Sequence, residues 1–98
     1  MGQVIREGDT GISLSAAAAT GRGSIIELQS AVENVRAYVT ITNTATVKLE
    51  VSYDGSTFFD LLTGITASAI YEFAAYKYIA ANVTAYTNGT VTVTFEGR

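Results

Sequence analysis

The sequence predicts an all-β chain: an antiparallel β-sandwich, jelly-roll-like, of about seven or eight short strands. Three observations predict it. Apolar and polar residues alternate without error through VRAYVTIT (35–42) and TVKLEVSY (46–53). Such period-two patterning buries one face of a strand and leaves the other outside, as face-to-face antiparallel sheets require. The second half is rich in valine, threonine and tyrosine, which favour pleated backbone. Turn signals built from Gly, Asn and Asp recur between these runs, in a chain that contains no proline. A small closed barrel is the alternative architecture.

Taken in order, residues 1–11 carry charges and glycines with little periodicity, and read as an arm or an irregular first strand before a single domain over 12–98. ISLSAAAAT (12–20) opens with Ile12, Leu14 and Ala16 on one face and reads as a strand followed by a turn at GRG (21–23), with a short helix through the alanines as the alternative. SIIELQ (24–29) is a short strand. Segments 35–42 and 46–53 are joined by the short link NTA and read as a hairpin with Val35, Ala37, Val39, Ile41, Val47, Leu49, Val51 and Tyr53 inward. Asp54-Gly55 makes the next turn, ahead of a strand FFDLL (58–62) whose facing stays open between Phe58 and Phe59. Ala69, Tyr71 and Phe73 share a face of the strand after that.

The end of the chain, VTAYTNGTVTVTFEG (83–97), reads as a second hairpin. A two-residue Asn88-Gly89 turn would pair Tyr86 with Val91 and mix the faces. A loop of Thr87, Asn88 and Gly89 pairs Ala85 with Val91 and Val83 with Val93, with Gly89 left-handed in a bulge. A one-residue slip would expose the whole apolar set, so the longer loop is expected.

Composition narrows the function classes. The net charge is −3 and no basic stripe exists, so nucleic acid is not an expected partner. Cysteine and histidine are both absent, which removes thiol chemistry, disulfides and the commonest metal ligand and proton shuttle. No apolar run is long enough to span a bilayer as a helix, and Arg6, Glu7 and Asp9 precede any apolar stretch, unlike a signal peptide. Neither a membrane nor export is therefore expected. Asp54, Asp60, Glu50 and Glu72 are the acids that catalysis or calcium would need, but their spacing favours no pair, and Asp54 is explained by its turn. Lys48 and Lys77 have serines in the chain but no pattern of a dyad. The expectation is a non-enzyme without cofactor or metal.

What stands out is the side opposite the core. Outward positions of the last two segments are Tyr78, Ala80, Asn82, Thr84, Tyr86, Thr90, Thr92, Thr94 and Glu96, with a single charge among them. Tyr38, Thr40 and Thr42 extend that character. Soluble surfaces usually carry about 25–35% charged residues, whereas this whole chain has 15%. Tyrosine offers rigid amphipathic contact area at small entropic cost. Tyr38, Tyr78, Tyr86, Thr84 and Thr92 are therefore the expected partner contacts. Carbohydrate stacking on Tyr78 and Tyr86 is the competing use of the same residues, although Trp, the preferred platform, is absent.

Two stretches carry a resemblance. VSYDGSTFFDL (51–61) resembles the S-x-D-G-x-x-aromatic strand-turn-strand of discoidin-like sandwiches and small tailed-phage structural proteins. YKYIAANVTAYTNGTVTVTFEG (76–97) resembles the closing hairpin of short phage proteins, with a KY-x-x-A-N-V-T-AYT-x-GTVTV pattern. Phe58 replaces a Trp, a conservative change for packing, and Ala80 stands where a basic residue is common, which weakens any inherited charge contact. The resemblance implies a non-enzymatic virion component made in the host cytoplasm. The leading expectation is a capsid decoration or cement protein on the phage head, present in many copies or as a homo-oligomer, with the major capsid protein or other virion subunits as partners. A tail, neck or fibre accessory role, including a carbohydrate-binding module, is the alternative.

Overall fold

Apart from Ala80 and the tyrosines, segments 35–51 and 79–95 keep their apolar residues on odd positions, and each is interrupted once, at Asn43 and at Asn88-Gly89. In a computed structural model, described over residues 3–98, neither interruption is a hairpin turn. The strands are β1 (Gln3–Ile5), β2 (Thr10–Ala17), β3 (Gly21–Arg22), β4 (Ile26–Leu28), β5 (Asn34–Ser52), β6 (Phe58–Ile65), β7 (Ala69–Ala74) and β8 (Tyr78–Gly97). Both expected hairpins are thus corrected. Each is a single long strand of 19 or 20 residues, and the two run antiparallel to each other from Val35↔Gly97 to Ser52↔Tyr78.

The physical reason is parity. An odd loop and an unbroken strand preserve the same odd-numbered face, so the apolar pattern fits both. Pairing decides between them: Val91 lies opposite Ile41 and Val83 opposite Val47, not Val91 opposite Ala85. Ala85 is exposed instead of inward. A straight strand of 19 residues would reach about 60 Å, yet the molecule's longest extent is 37 Å. The β5–β8 ribbon must therefore fold over. It does so where Asn43, at φ 67°, faces Gly89, at φ 89°. Register shifts follow between Thr44 and Ala45 and between Thr46 and Val47, which leave Thr87 and Thr84 as extra residues on β8. Bulges bend and twist the strand that carries them, and strands that change sheet at such corners are a known way to close a sandwich.

Because β5 and β8 are shared, the eight strands make one hydrogen-bonded network with two layers. One layer, here called the β7 sheet, runs β2–β8–β5–β7 through the halves around Val35 and Phe95. The other, the β6 sheet, runs β1–β4–β8–β5–β6, with β3 also on β8. All pairings are antiparallel except β1 with β4. The all-β sandwich expected from the sequence is the fold. Met1 and Gly2 of the expected arm lie outside the described residues. Of the rest, Ile5 is 1% exposed and belongs to the core.

The core is the inner side of the folded ribbon. Phe95 is fully buried and meets Phe73 edge-on at 6.4 Å. Around it lie Val35, Val47, Leu49, Ile79, Val83, Val91 and Val93, with Ile5 and Ile26 closing one end. Two local expectations fail at irregularities. A register shift between Ile12 and Leu14 throws Ile12 outward, at 46% exposure, while Leu14 and Ser13 turn in. Ser13 is satisfied there, donating to the Ser24 carbonyl at 2.7 Å and accepting from Ala81 N–H at 3.0 Å. Tyr53, read as inward, leaves the strand for the Asp54 turn and is 68% exposed.

Candidate interaction surfaces

On the β7 sheet, register alignment builds the outer face in transverse rows. Thr10, Glu96, Arg36 and Glu72 form the first row across all four strands. Ile12, Thr94, Tyr38 and Ile70 form the next. Thr92 with Thr40, and then Thr90 with Thr42, continue toward the bend. Charge is confined to the first row and is paired within it or just beyond. Arg36 Nη2 lies 3.4 Å from Glu72 Oε2, and Arg98 Nη1 lies 3.6 Å from Glu96 Oε1. Tyr38 donates its hydroxyl to Glu96 at 2.7 Å, and so is tied down while its ring stays half-buried.

The remaining rows have no charge. Ile12 and Ile70, 46% and 63% exposed, flank the second row at opposite edges of the sheet. Thr92 accepts from Ala16 N–H at 3.0 Å. One row of four positions and two rows of two, with about 4.8 Å between strands and about 6.7 Å between rows, give an uncharged patch of roughly 260 Å². That is about a third of the ~800 Å² per partner of a typical specific interface.

On the β6 sheet, the outer face is closed by ions. Glu50 sits at 3% exposure on this side. Arg22 crosses from β3, with Nε 2.7 Å from Glu50 Oε1 and its guanidinium 4.1 Å over the Phe58 ring. Lys48 Nζ bridges Glu50 Oε2 at 3.2 Å and Asp60 Oδ1 at 2.8 Å, and Asn82 adds a long contact at 3.4 Å. Burial alone would raise the Glu50 carboxyl, but hydrogen bonds from Arg22 and Lys48 outweigh it and hold it below the ordinary carboxylate range. A depressed folded value stabilises the fold above the unfolded pKa, and that contribution disappears as pH falls through the folded value. The melting temperature should therefore drop on acidification below about pH 4.3, the unperturbed Glu value. Glu50→Gln should flatten part of this acid limb and cost ~1–2 kcal/mol at pH 7. Thermal melts from pH 7 to 2 check both; an unchanged acid limb in the variant would remove Glu50 from the account.

The five expected contacts do not share one surface. Tyr38 and Thr92 lie on the uncharged patch. Tyr78 is on the β6 sheet, its ring under the Gly55 turn at 3.5 Å from an added Cβ. Thr84 is exposed at the bend, donating to the Thr46 carbonyl at 3.3 Å. Tyr86 packs against the core and donates to the Gly89 carbonyl at 3.0 Å. The hairpin assumption merged two opposite faces into one. It also missed Ile12 and Ile70, which the bulge in β2 and the pairing of β7 bring into line with Tyr38.

The Asp54 turn lies beside an open groove. Asp54 Oδ1 accepts from Ser56 and Thr57 N–H, both at 2.8 Å, and from the Ser52 hydroxyl at 3.0 Å. Those contacts, led by the Thr57 and Ser56 amides, hold its carboxyl below the usual range. The loop is residues 53–57, with Val51 opposite Phe59 and Ser52 opposite Phe58. Phe59 stacks on Tyr53 at 6.2 Å, and with Tyr76 and Leu61 it borders an open groove of about 410 Å³. Its facing was undecidable from sequence because the loop length was.

No protein-family model and no curated protein matches the sequence. Among solved structures, the chain is similar to the SPBc2 prophage-derived protein YomS, at 8% identity, with a TM-score of 0.78 over 94% of each chain. It is more distantly similar to the pre-peptidase C-terminal domain of a collagenase from Bacillus anthracis, at 14% identity and a TM-score of 0.47, covering 100% of this chain and 95% of that one. A family 29 carbohydrate-binding module aligns at 9% identity and a TM-score of 0.46, over 93% of this chain and 92% of that one. At such identities the likeness to YomS is one of fold alone.

Proposed function

We propose that the protein is a non-enzymatic structural subunit of a phage particle, a decoration protein that docks on the head. The observation that carries this reading is the uncharged outer face of the β7 sheet, with Ile12, Tyr38, Ile70 and Thr92 raised on a rigid four-stranded support. The fold shared with a prophage-derived protein supports the setting. The role needs no chemistry, only complementary contact. A patch of about 260 Å² binds weakly on its own, but a symmetric shell presents the same partner surface many times. Subunits held to one another as well as to the shell gain from effective concentration.

The test is quantitative analysis of purified particles of the phage that encodes the chain. The expected result is a copy number comparable to that of the major capsid protein. A handful of copies per particle would move the protein to the tail or neck, and absence would end the virion reading.

A further inference from the structure

We infer that β7 is a dimerisation edge, and that its occupant is β7 of a second copy, paired antiparallel about a two-fold axis through Tyr71. This goes beyond the proposed function and holds whether or not the partner is a capsid.

The edges differ in how they are guarded. An open strand edge invites pairing, and proteins blunt it with bulges, prolines or lysines. β2 and β6 each carry two register shifts, and β1 is only three residues long. β7 pairs with β5 over six consecutive residues without a shift, contains no lysine or proline, and among the described residues has no strand on its other side.

Backbone direction identifies what the edge offers. Asn34 exchanges hydrogen bonds with Arg98 of the strand end beyond β8, at 3.1 and 2.8 Å, so even residues of β5 face β8. Odd residues of β5 then face β7, in line with Ala75 N–H donating to Glu33 at 3.0 Å. Alternation leaves the N–H and C=O groups of Ile70, Glu72 and Ala74 pointing away from the sheet.

Charge and facing choose the register. Like faces must meet, so residue numbers of a pair sum to an even value. With a sum of 144, Glu72 would lie opposite the partner's Glu72, a destabilising like-charge pair. With a sum of 142, Tyr71 meets the partner's Tyr71, and Ala69 meets the partner's Phe73. Both pairs extend the apolar interior, where Tyr71 and Phe73 now remain partly exposed. Ile70, the second most exposed large apolar side chain, then packs on the methylene stem of the partner's Glu72, whose carboxylate keeps its Arg36. The two-fold sets the charged first row of each copy beside the Ile70 row of the other, so the two uncharged patches lie diagonally across the seam.

Sedimentation velocity of the full chain over a wide concentration range tests this. The wild type should shift from monomer to dimer as concentration rises. Ile70→Pro removes an outward N–H without touching the β5 ladder, so it should remain folded by circular dichroism and stay monomeric. The native chain has no cysteine, so cross-linking is clean. Residue 71 would face its own copy in a non-hydrogen-bonded pair about 4.5 Å apart at Cα, within disulfide range. Tyr71→Cys should therefore form a covalent dimer on mild oxidation, and Glu72→Cys should not. A wild type that is monomeric throughout, a dimer that survives Ile70→Pro, or cross-linking through Glu72→Cys in place of Tyr71→Cys would each overturn the inference.

Discussion

Gly89→Ala should destabilise the protein by about 3 kcal/mol or more, and lower its melting temperature by roughly 12–24 °C for a domain of this size. Two terms add at this position. Gly89 holds φ 89°, a left-handed conformation that an L side chain pays to adopt. Its Cβ would also stand 1.8 Å from the Thr42 carbonyl oxygen and 2.7 Å from the Thr42 carbonyl carbon. That obstacle is backbone on the paired strand, in the turn of ribbon where Thr90 N–H donates to the Thr42 hydroxyl at 2.8 Å and Thr44 N–H to Asn88 Oδ1 at 3.1 Å. Relief requires the two strands to separate at the fold-over. Gly64→Ala isolates the first term, because Gly64 is also left-handed at φ 70° but has open space around the added carbon. It should cost only about 1 kcal/mol. Melts of both variants decide the matter: equal losses would mean that β5 and β8 are not packed against each other at the bend.

The same corner explains how much of the fold was legible in the sequence. Alternation in 35–42, 46–53 and 79–95 correctly marks Val35, Val47, Val83, Val93 and Phe95 as core, because burial of one face imposes period two whatever the strand order. It does not mark connectivity. An Asn-Gly dipeptide makes a tight hairpin when the chain must reverse, and a bulged bend when it must only turn a corner; both need a left-handed residue. The signal that separates them is relational. ITNTATV (41–47) and YTNGTV (86–91) carry their interruptions at positions that lie opposite each other. Two strands of one ribbon bending together require that coincidence, and two independent hairpins do not.

The candidate surface was legible in kind and misassembled in detail. Low charge and outward threonines predicted a bland face, and Tyr38, Thr92 and Thr94 are on it. Tyr78 and Tyr86 seemed to join them only because a hairpin would have put both halves of β8 in one sheet. Spacing puts Ile12 on one face with Leu14, and a single inserted residue in β2 separates them. Glu50 gave no warning, since a carboxylate on the polar side of a strand is ordinarily solvated. It is buried because Arg22, from a two-residue strand far away in sequence, lies across it.

The largest functional effect is expected from charging the uncharged patch. Ile12→Lys combined with Thr40→Lys changes two exposed side chains, neither with a hydrogen bond to the fold, and adds two cations in neighbouring rows of the β7 sheet. Exposed substitutions of this kind move stability by only about 0.5 kcal/mol each. Burying an ammonium without a partner costs several times that, and every 1.4 kcal/mol is tenfold in affinity. Copies of the double variant per purified particle, counted against the wild type and against Thr63→Lys on β6, therefore test the docking face most directly. Occupancy of the double variant should fall at least tenfold while Thr63→Lys binds normally and both variants melt close to the wild type. Full occupancy of a folded Ile12→Lys, Thr40→Lys protein would show that particles are gripped through some other surface.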